Sequence, residues 1–202
     1  MKIIGLTGPT GAGKGAVSAL FAKRYQIPSI DTDRVYHDLL VPPSACLDEL
    51  VHAFGATILA ADGTLCRPAL SRIVFSDMTR VKQEQLNKIT HKYVLNRTRE
   101  ILSEHANAGC RASLVDAPLL YESGFDTECD AVIAVLAPEA VRKARIMARD
   151  GLSEERAVAR LNMQKADDFY RSRARYVIIN DGDMDALMSQ VRDVASSLGV
   201  EI

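Results

Sequence analysis

Two glycines and a lysine, Gly8, Gly13 and Lys14, have the spacing with which a backbone folds around phosphate; they lie in "IIGLTGPTGAGKGAVSALFAKRY" (residues 3–25). Glycines let successive N–H groups converge on phosphate oxygens, and a helix opening near Lys14 adds the positive end of its dipole. The candidate loop is Gly8, Pro9, Thr10, Gly11, Ala12, Gly13, Lys14, Gly15 and Ala16, with Lys14 a point charge for the outer phosphates of a nucleoside triphosphate. One position departs from the pattern. Gly15 stands where such loops carry a serine or threonine hydroxyl for Mg2+. Magnesium keeps several waters, and one more can fill that place. Losing a charge-assisted contact costs roughly 1.5–3 kcal/mol, or about 10- to 150-fold in rate if it is felt wholly in the transition state.

Carboxylates supply the next candidates. "IDTD" brings Asp31 and Asp33 to the end of an apolar run, where one carboxylate can take the proton of an attacking hydroxyl. We assign that work to Asp33, and capping or orienting of the next helix to Asp31. Asp116 ends "SLVD", as a metal-holding carboxylate does, either directly or through water. Its other reading is a strand-end turn residue. Arg142, Arg145 and Arg149 share one helix face by their spacing. Such a face is either a solvated basic stripe or a clamp on a transferring phosphoryl group, and for Arg145 and Arg149 we favour the clamp.

These groups need a scaffold to aim them. Apolar runs at 2–7, 27–31, 112–118, 131–138 and 176–180 read as strands covered on both faces, and 14–25, 139–150 and 184–198 have helical spacing. The alternation predicts an α/β fold, a parallel sheet of about five strands wrapped by helices, with the carboxyl ends of the strands on one rim. The chain, 1–202, is expected to be a single P-loop domain. Residues 34–108 break the alternation and read as a helical insertion for binding the acceptor. Residues 151–173 are dense in arginine and read as a lid, with Ser153 an N-cap ahead of Glu154 and Glu155.

Composition narrows the function classes. The 202 residues carry 25 Lys and Arg against 26 Asp and Glu, a net charge of −1, so no basic excess points to nucleic acid or a membrane surface. Cys46, Cys66, Cys110 and Cys129 have neither disulfide-like nor metal-ligand spacing and are expected to be reduced thiols. No signal core or membrane-length apolar run is visible, which makes the cytoplasm the expected location. Nothing in the sequence speaks to oligomeric state.

Taken in order, "IGLTGPTGAGKG", "IDTD", "FGATILAADGTLCR" (54–67), "LNKITHK" (86–92), "VDAPLLYESG" (115–124) and "VRKARIMARDGLSEERAVARLNMQ" (141–164) resemble the dephospho-coenzyme A kinase family from residue 3 to about residue 182. The resemblance implies transfer of a phosphoryl group from ATP, with Mg2+, to the ribose 3′-hydroxyl of dephospho-CoA, both substrates being small molecules. It also implies that Asp33 is the base and that Arg67 and His91 belong to the acceptor side. Leu119, Tyr121 and Glu122 would line the acceptor cleft, Arg145 and Arg149 would sit near the transferred phosphate or close over ATP, and Asn180 would lie near the adenine. Besides Gly15, Lys92 replaces the proline after His91, which is expected to loosen a turn, and Arg175 replaces an aspartate.

Two alternatives stay open at this point. One is a kinase for another small molecule or a nucleoside monophosphate, which would share the sheet and loop. The other is a nucleotide-binding regulator with weakened catalysis, of which Gly15 would be the symptom. His37, His52 and His105 read as structural, and "NKIT" (87–90) lacks the aspartate of a guanine-reading motif.

Overall fold

The structure, a computed structural model, describes residues 1–76 and 79–201. In chain order its elements are β1 (Lys2–Thr7), α1 (Lys14–Tyr25), β2 (Ser29–Asp31), α2 (Thr32–Asp38), α3 (Ala45–Phe54), α4 (Arg67–Phe75), α5 (Val81–Asn107), β3 (Ala112–Asp116), β4 (Ala131–Leu136), α6 (Glu139–Asp150), α7 (Glu154–Asn162), α8 (Asp167–Arg171), β5 (Tyr176–Ile179) and α9 (Met184–Leu198), with short 3-10 turns at 56–58 and 125–128. The chain divides into two compact units: residues 1–31 with 102–202, and residues 32–101.

The first unit holds a five-stranded sheet in the order β2-β3-β1-β4-β5. Every neighbouring pair is parallel, as the alternation predicted. β1 has β3 on one side and β4 on the other, so the strand order reverses at β1, where open α/β sheets bind ligands at the strands' carboxyl ends. Register decides what meets there: Asp116 of β3 lies opposite Leu6 of β1 and opposite Asp31 of β2.

The strands are apolar because helices cover them. Val17 and Phe21 of α1 and Leu187, Val191 and Ala195 of α9 close a core with Ile4, Leu6, Ile133 and Ile178. Tyr170 of α8 packs on Ala134 and Leu136, and Ile146 of α6 packs on Ala157 and Leu161 of α7. Local chemistry sets the helix ends. The Asp183 side chain accepts a hydrogen bond from Ala186 N at 2.9 Å and opens α9. Gly151, at φ 63°, ends α6 by donating its N–H to Met147 O. Ser153 sits at the N-cap of α7, but its side chain makes no capping bond. Glu154 instead pairs with Lys143 of α6.

The second unit is helical, with α5 counted in it as far as Ile101. Its core gathers Leu40, Leu50, Ile58, Leu70, Val74 and Ile89. Ser44 caps α3 by accepting from Leu47 N at 3.1 Å. The loosened turn expected at Lys92 is absent. α5 runs unbroken through His91 and Lys92, because a lysine keeps the N–H and the free φ that a proline would remove. Lys92 pairs instead with Glu49 of α3, which also accepts from Tyr93 Oη at 2.7 Å.

Candidate active site

Residues 8–15 leave the carboxyl end of β1 and turn sharply into α1. Gly8 and Gly13 are required by geometry. Their φ angles are +141° and +96°, and an added Cβ would meet Val135 O at 2.1 Å and Asn180 Nδ2 at 2.0 Å respectively. Gly13 caps α1 with no side-chain hydrogen bond, so the helix opens with backbone donors and the positive dipole end facing the loop. Lys14 folds back across the loop and donates to Gly8 O at 3.0 Å. This is a cradle for a phosphate chain.

Three side chains from distant positions fasten the loop. Arg145 Nη1 donates to Gly11 O at 3.4 Å and to Ala12 O at 3.3 Å, and its Nη2 reaches Asn180 Oδ1 at 3.4 Å. Asn180, only 6% exposed, donates to Ala12 O at 2.8 Å. Gln164, just beyond α7, accepts from Thr10 N at 3.2 Å. Arg145 and Asn180 thus hold the loop's shape, while Arg149 points elsewhere. Arg149 binds Asp150 through Nε (2.7 Å) and Nη2 (2.9 Å), and Arg160 of α7 reaches the same carboxylate at 2.6 Å. The Arg149 hydrogen bonds, and then the nearby charge of Arg160, hold the Asp150 carboxyl below its usual range.

Asp116 ends β3 in register with Leu6, two residues before Gly8, and its Oδ1 is enclosed. The loop beyond it is tied to β1, with Ala117 N donating to Leu6 O at 3.0 Å. Such a carboxylate can hold a metal directly or through water, and the space around Gly15 is open, with nothing within 4 Å of an added Cβ. Water can therefore stand where the hydroxyl is missing. Among the described residues no cluster of three His, Cys, Asp or Glu side chains is arranged to hold a metal.

Leu119 is 51% exposed and Glu122 is exposed, while Tyr121 turns inward, edge-on to Phe169 at 5.6 Å. Burial, followed by the charge of Asp126, pushes the Tyr121 hydroxyl up to about 12, so it stays protonated. In the helical unit Asp33 lies exposed in the first turn of α2, two residues past the end of β2. Arg67 opens α4, and its Nη2 meets His37 Nδ1 at 2.6 Å. Arginine only donates, so His37 Nδ1 is the acceptor of this bond. His91 lies half-buried within α5.

Comparison with known proteins identifies the family. The sequence model of the dephospho-CoA kinase family matches residues 2–186. The chain belongs to the dephospho-CoA kinase family. The dephospho-CoA kinase of Moorella thermoacetica is 42% identical over 193 residues, covering 95% of this chain and 90% of that one. The crystal structure of TT1252 from Thermus thermophilus superposes with a TM-score of 0.80 at 31% identity, covering 98% of this chain and 97% of that one. The dephospho-CoA kinase from Campylobacter jejuni shares the fold, with a TM-score of 0.70 at 24% identity and 98% of both chains covered. Neither alternative reading is favoured. The likeness to a shikimate kinase, with a TM-score of 0.55 at 16% identity and 98% of both chains covered, is one of fold alone.

Within this dephospho-CoA kinase family member, sequence reasoning passed over Gln164, the contact of His37 with the expected acceptor residue Arg67, and the burial of Arg142. Gln164 sits in a polar stretch with no motif of its own, and only the folded chain brings it to Thr10. His37 and Arg67 are thirty residues apart. Arg142 was noted only as part of a stripe, yet it is buried. Ile146, one turn on and fully buried, was the signal that this face turns inward.

Proposed function

We propose that this protein catalyses ATP-dependent phosphorylation of the ribose 3′-hydroxyl of dephospho-CoA, giving coenzyme A. The observation that carries the reading is the family match across residues 2–186, in a chain whose loop is folded with Lys14 lying across it. ATP places its phosphates in loop 8–16, with Lys14 moving from Gly8 O onto the β- and γ-phosphates and the α1 N-terminus facing them. Asp116 would hold Mg2+, directly or through water; when bound, the ion neutralises charge on the phosphates. Asp33 takes the 3′-hydroxyl proton as the phosphoryl group transfers in line. Arg149 leaves Asp150 to neutralise the developing charge, Arg145 holds the loop under it, and residues 151–173 close and exclude water as a rival acceptor. Arg67, His91, Leu119, Tyr121 and Glu122 bind the acceptor, and Asn180 bounds the nucleotide side. We place the enzyme in the cytoplasm; four free thiols support that, and among the described residues no helix is long and apolar enough to cross a membrane.

The test is ADP release from ATP and Mg2+ with dephospho-CoA, run beside AMP as acceptor and a Lys14→Ala control. Turnover with dephospho-CoA alone supports the reading, and turnover with AMP instead overturns it. In the same assay Asp33→Asn should cut turnover by roughly 10²–10⁴-fold while ATP affinity holds. An equal loss of ATP binding would remove Asp33 from the role of base.

A further inference from the structure

Among the described residues Arg142 is the one charged residue in the buried class, 8% exposed. Its Nη2 stands 3.9 Å from Asp167 Oδ1, beyond hydrogen-bond distance, and its Nε and Nη1 are enclosed with no partner. Guanidinium keeps its charge at every working pH. Enclosing it with unmet N–H groups is costly, and native proteins almost always meet such groups. A scaffold gains nothing from this arrangement. An apolar side chain of the same length would fill the space without the penalty.

The surroundings indicate what partner is missing. Arg142 is the fourth residue of α6, and its backbone lies against the loop: a Cβ on Gly11 would meet Arg142 O at 2.8 Å and its Cα at 3.0 Å. One turn on, Arg145 bonds the carbonyls of that same loop. The charges of Glu122, Arg142 and Asp167 all act on the Tyr170 hydroxyl. Tyr121 Oη, beside Phe169, is also enclosed with no partner. An unmet, fork-shaped cation therefore sits where the phosphate loop adjoins the strand-end loop carrying Tyr121 and Glu122. The Asp167 side chain is 38% exposed and can return to water.

We propose that Arg142 is a phosphate-binding residue of this kinase, leaving Asp167 on substrate binding to fork onto oxygens of the substrates' phosphate groups. Those oxygens belong either to the phosphoryl group of ATP that is transferred or to the diphosphate of the acceptor, and the inference rests on the function proposed above.

Arg142→Met tests it, since methionine keeps an apolar body and loses the charge. The expected result is a Tm that is unchanged or higher, with kcat/KM for dephospho-CoA down roughly 10- to 150-fold. Thermal shifts separate the two sources. Loss of the extra stabilisation that ATP gives over ADP assigns Arg142 to the transferred phosphoryl group, and loss of the shift given by dephospho-CoA assigns it to the acceptor. Should the methionine variant not fold, Arg142→Lys keeps the charge without the fork and should still lose at least about tenfold in kcat/KM. The proposal is overturned if the folded variant keeps kcat/KM within about threefold and both shifts persist. Wild-type enzyme inactive on dephospho-CoA would sink the proposed function, and the ATP-against-ADP shift would then still judge Arg142.

Discussion

Gly13 and Gly15 are two residues apart and under opposite constraints. A Cβ at Gly13 would run into Asn180 Nδ2 at 2.0 Å, whereas at Gly15 it would meet nothing within 4 Å. The hydroxyl that such loops usually carry is therefore missing from Gly15 without crowding as the cause. Gly15→Ser should fold well and, by removing a glycine from the first turn of a helix, gain roughly 0.3–0.5 kcal/mol, which is about 1–2 °C in Tm for a chain of this size. Turnover should be unchanged or up to about tenfold higher, as a restored metal contact allows. A serine enzyme many times slower than wild type would mean that the loop is built around a water at that point. The glycines and Lys14 were legible in the sequence because backbone conformation and a single charge define their roles. Arg142 and Gln164 were not, because each acquires its role only from a neighbour far along the chain.

α6 and α7 form a hairpin in which apolar packing and one carboxylate work together. Ile146 meets Ala157 and Leu161 on the inner side, while Asp150 gathers Arg149 and Arg160 on the outer side. Exposed pairs of this kind hold little energy, typically about 0.2–1 kcal/mol, so they can release an arginine to a stronger anion. Arg149→Ala is accordingly expected to lower turnover by roughly 10- to 150-fold, and Asp150→Asn by less than about fivefold. Should both variants lose equally in steady-state kinetics, the pair rather than the arginine would be the working unit. The limits of α1, α6 and α9 were readable from the sequence, since apolar spacing and left-handed caps at Gln26, Gly151 and Gly199 fix them locally. The strands were readable in place, β1 to the residue, while the other four run shorter than their apolar stretches; β3, for instance, ends at Asp116, two residues before Pro118. The unbroken course of α5 through Lys92 ran against the sequence reading, which looked for a loosened turn there, because a lysine keeps the backbone N–H and the free φ that a helix needs.

At the scale of the whole molecule, each unit holds a thiol whose ionisation would oppose its fold, Cys46 buried and Cys129 half-buried. Burial is the first cause in both: Cys46 in the helical unit is raised from 9.0 to about 11, and Cys129 in the sheet unit from 9.0 to about 12. A pKa raised on folding stabilises fully below the unfolded value and loses that contribution as pH climbs through the folded one. Urea midpoints should therefore show no thiol-linked loss up to about pH 9 and a decline above it. Iodoacetamide at pH 8.5 should label Cys66 and Cys110 well before Cys46 and Cys129, with mass spectrometry giving the order. Early labelling of Cys129 would contradict its enclosure.

The three residues that fasten the phosphate loop, Arg145, Gln164 and Asn180, all come from the last third of the chain, whereas the loop itself is spelled out by residue 15. β1 likewise waits for both of its partners, which begin at Ala112 and Ala131. During synthesis, then, the ribosome releases the binding motif first and its supports last. A nascent chain carries the full loop sequence for most of its elongation with only local contacts, such as Lys14 on Gly8 O, to hold that loop in shape. The last of those supports arrives only with Asn180, so a half-made chain lacks the contacts that pin Ala12 from the far end of the sheet.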